Sequence, residues 1–506
     1  MLYFYLLKKD EGVPMTQQAI GFDSEKYLEL QSEHIKERIS SFEKLYLEFG
    51  GKLFDDYHAS RVLPGFAPDN KIKMLEQLKD EVEIIIAVSA DAIEENKVRG
   101  DLGITYDAEA LRIRRSLMER GFLVSGIVIT KYTGQPTAER FRSRLTEMGI
   151  RSCLHYVIPG YPADIPTIIS DQGYGKNEYL ETSRRLVVVT APGPGSGKMA
   201  TCLSQMYHDY KHGIKAGYAK FETFPVWNLP LRHPVNIAYE AATADLDDVN
   251  MIDPFHMEAY GQTTVNYNRD VEVFPVVSSI FRAIMGECPY KSPTDMGVNM
   301  VGFAISDDEA CRYAAGQEIL RRYFRTACDV KRGLASKSEL RKEELLLQQA
   351  EIQPEDRPVV PAALQRQEET GHPAMAIQLT DGTIITGKTG DLLGAASAAI
   401  LNALKVCAGI AHREKLISEQ SLAPIQLLKT KYLGGHNPRL HSDEILIALS
   451  SSASMNPLAS LAIEQLPKLR GAEAHSTVLL SSVDENMFRR LGIHLTCTPV
   501  YEKDRI

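Results

Sequence analysis

Short apolar segments recur along the first half of the chain, at 45–49, 82–88, 123–130, 153–158, 186–189 and 216–222. Stretches with helical periodicity separate them, at about 24–42, 71–80, 107–120, 137–148 and 198–210. Apolar runs without polar alternation describe strands covered on both faces, and their alternation with helices predicts a parallel sheet. We therefore expect a doubly wound, mainly parallel α/β domain at 15–235, Rossmann-like or P-loop-like. A helical and irregular middle region follows at 236–355, with helices near 306–328 and 336–352 and a proline-broken linker from Pro354 to Pro361. A smaller C-terminal α/β domain is expected at 356–506. Its signals are an Asp-Gly hairpin at 376–385, an alanine-rich helix at 392–406 and strands near 474–481 and 494–501. Met15 reads as a natural start, which makes 1–14 an N-terminal extension.

One junction carries a chemical signal. The apolar run 186–189 passes through Thr-Ala-Pro into Gly193-Pro-Gly195-Ser196-Gly197-Lys198, where a helix begins. A strand, a glycine loop and a helix start aim bare backbone amides at one place, which suits a phosphate, and Lys198 adds a point charge. The full phosphate-loop pattern would place glycine at Pro192 and a magnesium-binding hydroxyl at Met199. Thr201 is the nearest hydroxyl after the lysine. A dinucleotide fingerprint fits worse, because its third glycine would fall on Lys198.

Composition narrows the partners. The 506 residues are 44% hydrophobic and 24% charged, as in a soluble globular protein of more than one domain. A net charge of −9 opposes binding to nucleic acid or to an anionic membrane. No apolar run approaches the roughly 18 residues that span a bilayer. The seven cysteines are scattered without a Cys-x-x-Cys pair, which implies reduced thiols, a cytoplasmic setting and no structural zinc. His208 and His212 lack a third ligand, so no metal site is assigned.

In parallel sheets, ligands sit beyond the carboxyl ends of the strands. Those ends here include Gly50-Gly51-Lys52, Ser89 with Asp91, Thr130-Lys131, the 193–198 loop and Glu222. Glu222 leaves the strand that follows the loop helix and is the expected general base. Asp253 ends a short apolar run and could mimic the acidic strand end that supports Mg²⁺. His233, Asn236, Glu240 and Arg269 lie in a region rich in hydrogen-bonding side chains, from 222 to 299, that is too polar for core and too bulky for a linker. We expect the second substrate there.

Several long phrases point to one family. Val188-Val-Thr-Ala-Pro-Gly-Pro-Gly-Ser-Gly-Lys198, Ala219-Lys-Phe-Glu-Thr-Phe-Pro225, Leu231-Arg-His-Pro-Val-Asn236 and Ser292-Pro-Thr-Asp-Met-Gly-Val-Asn299 resemble the bacterial family described as domain of unknown function 1846. The resemblance spans nearly everything after Met15 and carries over no activity and no catalytic residue. Pro192 and Met199 belong to the family's own phrase, which implies a loop adapted to something other than standard Mg·ATP hydrolysis.

The resulting expectation is an enzyme that binds ATP, a similar nucleotide or another phosphorylated small molecule through Gly193, Gly195, Ser196, Gly197, Lys198 and Thr201. A phosphotransferase or ATP-dependent ligase is its most concrete form, with Mg²⁺ optional and Lys198, Glu222 and Asp253 catalytic. Two alternatives stand beside it: a non-catalytic phosphometabolite sensor or assembly protein, homo-oligomeric through helices at 300–352, and a magnesium-independent sugar-phosphate or nucleotide-sugar enzyme.

Overall fold

The computed structural model describes residues 20–54, 56–99, 102–244 and 248–505. The expected extension at 1–14 lies outside the described residues. Two compact units emerge among the described residues, one within 20–240 and 248–311 and the other within 241–244 and 312–505.

The first unit is built on seven strands: β1 (Lys44–Phe49), β2 (Val82–Ser89), β3 (Leu123–Tyr132), β4 (Ser152–Tyr156), β5 (Leu186–Thr190), β6 (Ala216–Phe221) and β7 (Gly297–Val298). They pair in the order β7-β6-β1-β5-β2-β3-β4, all parallel, with helices flanking the sheet. Strands β1, β2, β5 and β6 are buried along their whole length. That explains why they read as continuous apolar runs. One face packs on the helices α1 (Lys198–Lys211) and α2 (Asn268–Met285), through Tyr46, Val187, Val189 and Tyr218 against Leu203, Met206, Phe274 and Phe281. Crossovers from β5 and β2 leave in opposite directions, β5 toward β6 and β2 toward β3. The connections therefore reverse direction between two neighbouring strands, the point at whose carboxyl ends parallel sheets bind ligands.

The segment from 222 to 299 departs from expectation. Its polar side chains are core: Asn236, Asp253, Asn266 and Ser292 are fully buried. They are tolerated because each is hydrogen-bonded. The chain then returns to the sheet and adds β7 beside β6.

In the second unit, β8 (Ala374–Gln378) and β9 (Ile384–Lys388) form the expected hairpin. Beyond β8 lie β10 (Glu473–Ser476), antiparallel, and β11 (His494–Cys497), parallel to β10. The helix Ala395–Cys407 packs so tightly that a Cβ at Gly387 would meet the Ala399 amide nitrogen at 2.3 Å. Arg357 is fully buried, where it pairs with Glu473 at 2.6 Å and donates to the His494 carbonyl at 2.8 Å. Among the described residues, no helix is long and apolar enough to cross a membrane.

His155 on β4 is 4% exposed, and burial pushes its pKa down to about 3. Its folded pKa lies below the unfolded value of about 6.5. The stability it contributes is therefore present above about pH 6.5 and lost as pH falls toward 3. Thermal midpoints measured from pH 7 to 4, read by fluorescence of the single Trp227, should fall less in His155→Leu than in wild type. Equal acid losses in both would show that His155 is not held neutral.

Candidate functional site

Strand register fixes the centre of the site. Glu48 on β1 is paired with Val189 on β5 and with Lys220 on β6. Residues on one rung share a face of the sheet, so Glu48 and Lys220 both enter the face covered by α1 and α2, at its carboxyl rim. Burying two charges there is costly unless each is partnered. Tyr218 donates to Glu48 Oε2 at 2.7 Å. Lys220 Nζ pairs with Glu222 Oε1 at 2.7 Å and with Asp270, and it donates to Tyr267 Oη at 2.7 Å. Tyr267 in turn donates to Glu222 Oε1 at 2.6 Å.

The local sequence accounts for this convergence. Lys220 and Glu222 are two apart at a strand end and so project to the same side. Tyr267 and Asp270 bracket the first turn of α2, so one helix start delivers both partners. Burial raises the Glu222 pKa to about 7, opposed by the Lys220 ammonium. Burial alone would discharge Lys220, but Asp270, Glu222 and Glu48 hold it charged. Burial and the carboxylates of Asp270 and Glu222 keep Tyr267 protonated.

The glycine loop closes over the neighbouring strand ends. Gly195 and Gly197 have φ of +75° and +79°, a region that side-chain-bearing residues rarely adopt. Thr130, at the end of β3, donates to the Ser196 carbonyl at 2.8 Å. A Cβ on Gly197 would come within 2.9 Å of the Thr130 hydroxyl, and one on Gly193 within 2.3 Å of the Tyr106 hydroxyl. Ser196 donates to the Gly193 carbonyl at 2.9 Å and braces the turn. Among the described residues, the backbone N–H groups of Gly195, Ser196, Gly197 and Lys198 have no acceptor. The half-buried Lys198 ammonium likewise has no hydrogen bond or ion pair among them. Burial lowers its pKa. Glu48 opposes that shift, while Lys220 and Arg269 add to it, so Lys198 stands in the field of the Lys220 cluster.

The other expected site residues are engaged in building the scaffold. Thr201 is fully buried and donates back to the Gly197 carbonyl at 2.9 Å. Asp253 leaves a strand, Asn250–Ile252, that pairs antiparallel with Val265–Tyr267 outside the main sheet. Its Oδ1 accepts from the Phe255 and His256 amides, and its Oδ2 from the Thr294 amide and hydroxyl. Asn236 brackets Val226, accepting from its amide at 2.7 Å and donating to its carbonyl at 3.2 Å. His233 Nε2 meets Asp308 at 2.9 Å, and Glu240 accepts from the Asn250 amide at 3.3 Å. Arg269 pairs with Asp248 at 2.6 Å while its side chain remains 54% exposed. The structure thus gathers Lys198, Glu222 and Arg269. It adds Glu48, Lys220, Tyr267 and Asp270, which sequence reasoning did not single out.

The chain belongs to the DUF1846 family. Residues 20–351 match the description "Domain of unknown function DUF1846, N-terminal", and 355–506 match the corresponding C-terminal description. It is 58% identical over 487 residues to a UPF0371 protein of Streptococcus pneumoniae (strain JJA), covering 96% of this chain and 99% of that protein. A UPF0371 protein of Streptococcus thermophilus (strain ATCC BAA-491 / LMD-9) matches at 58% over the same shares of each chain. One of Streptococcus sanguinis (strain SK36) matches at 59% over 488 residues, 96% of this chain and 99% of that protein.

Removing Lys220 would leave Asp270 and Glu222 as adjacent buried carboxylates. We expect Lys220→Met to cost about 3–5 kcal/mol at pH 8. At pH 5 it should cost less, because Glu222 can take up a proton. Urea unfolding followed by Trp227 fluorescence at the two pH values checks this. A loss that does not depend on pH would show that Glu222 does not titrate beside Asp270 in this range.

Proposed function

We propose that this protein binds the phosphate of a small phosphorylated molecule at the Gly193–Lys198 loop and acts on the bound molecule as an enzyme. One observation carries the reading: among the described residues the Lys198 ammonium and the adjoining amides have no partner, although they stand beside a cluster of paired charges. Unmet donors at a helix start suit an anion. Cationic and amide donors of this kind hold phosphate through charge-assisted hydrogen bonds.

The donor set favours one variety of this function. Met199 carries no oxygen, and the Thr201 hydroxyl is turned back on the Gly197 carbonyl. The residues that usually pair a phosphate loop with Mg²⁺ therefore do not fit that ion here. This supports a magnesium-independent enzyme acting on a sugar phosphate or nucleotide sugar over a phosphotransferase or ligase. Glu222 is the acid–base group of the site. Its carboxylate form grows as pH rises through about 7, so turnover limited by the base should rise over the same range.

Thermal shift against inorganic phosphate, sugar phosphates, ATP, ADP, GTP and NAD, with and without Mg²⁺, tests the reading. A ligand well above its Kd should stabilise the protein by a few kcal/mol. Lys198→Ala should weaken binding roughly 10- to 100-fold, the worth of one charge-assisted hydrogen bond. Failure of all these ligands to stabilise the wild type, or a shift that survives Lys198→Ala, would return the loop to a structural turn.

A further inference from the structure

Glu222 is oriented as a base is oriented. Its Oε1 receives both the Lys220 ammonium, at 2.7 Å, and the Tyr267 hydroxyl, at 2.6 Å. No described group engages Oε2. One oxygen is fixed by two donors and the other is left to act, with the side chain 3% exposed. Two cations stand nearby: Lys220 on the same cluster and Lys198, whose ammonium lies in the field of Glu48 and Lys220. Strands β5 and β6 flank β1, so the loop end and the Glu222 end are two strand spacings apart, about 10 Å. A molecule anchored by phosphate at the loop and reacting at Glu222 must bridge that distance with several bonds.

We infer that the substrate is a five- or six-carbon sugar phosphate with a carbonyl, and that Glu222 Oε2 removes the proton from the carbon next to that carbonyl. This rests on the loop holding the phosphate. In the step, the carboxylate forms an O–H bond as the C–H bond breaks. The C–H electron pair becomes a carbon–carbon double bond, and the carbonyl π pair moves onto oxygen. Lys220, beside Glu222, opposes the negative charge that develops there. The hydroxyl proton passes between the two oxygens, and Glu222 returns its proton to the neighbouring carbon. The net change is an isomerisation between aldose and ketose, balanced without oxidant, reductant or a second substrate. Tyr267 is a positioning residue, because it acts by holding Oε1.

The experiment incubates the full-length protein in D₂O with fructose 6-phosphate and, separately, with ribose 5-phosphate. Deuterium at the carbon next to the carbonyl is read by ¹H NMR, and affinity for the same two compounds by calorimetry. Wild type should bind at least one of them in a Lys198-dependent way and exchange its proton. Glu222→Gln should slow exchange at least 100-fold while binding changes less than threefold. Tyr267→Phe should slow exchange about tenfold and shift its pH midpoint, which a purely structural role would not do. Lys198-dependent binding without exchange overturns the inference and leaves the loop reading standing, as does exchange that survives Glu222→Gln. Failure of wild type to bind either compound overturns the inference, and it overturns the loop reading too only if inorganic phosphate also fails.

Discussion

A single buried ammonium organises the rim of the seven-stranded sheet. Lys220 lies on the second strand from one edge of a fully buried parallel sheet, where an unpaired charge would be expelled. Its retention requires Asp270 and Glu222 within contact distance and the Tyr267 hydroxyl as a third partner. Two of those partners, Tyr267 and Asp270, come from the start of α2, so the helix is held to the sheet rim by charge as well as by its apolar stripe. The short antiparallel pair ending at Tyr267 and the caps at Asp253 and Ser292 set the path by which the chain reaches that start. Much of the irregular segment from 222 to 299 serves that one placement.

The loop beside it obeys a different constraint, steric rather than electrostatic. The Thr130 hydroxyl and the Tyr106 ring press on its outer side, leaving no room for a Cβ at Gly193 or Gly197. The loop is thereby folded tightly without using its own amides. Packing from outside fixes the loop in one conformation, with its donors unmet among the described residues.

The sheet was legible in the sequence because strands buried on both faces are mostly apolar, as the runs within 82–89 and 186–190 are. The hairpin at 374–388 was legible from Asp381-Gly382, where φ of +87° requires glycine. The structural role of Asp253 was itself visible in the sequence. An acid directly before Pro254 is the signature of a helix cap, and capping engages its Oδ1. Asn236 and His233 looked available because sequence cannot show a backbone amide ten residues or two residues away turning to meet them. Lys220 and Asp270 went unnoticed because their pairing crosses 50 positions, and no local period marks a charge whose partner lies so far along the chain. Strand β7 was missed because two residues show no period.

That separation has a consequence for how the chain emerges from the ribosome. Six of the seven strands are made before Asp270 exists, so Lys220 enters a nearly complete sheet with Glu222 beside it but without Asp270. At translation rates of about 5–20 residues per second, the wait is about 3–10 s. During that interval the nascent sheet has an edge at β6 whose ammonium lacks one of its two carboxylate partners, and a charge on an edge strand resists pairing with the wrong strand. The delay closes in one event, when the start of α2 arrives, completes the lysine's partners and is followed by β7 covering the edge. The charge at the centre of the site thus also acts as a timer for the order in which the sheet is finished.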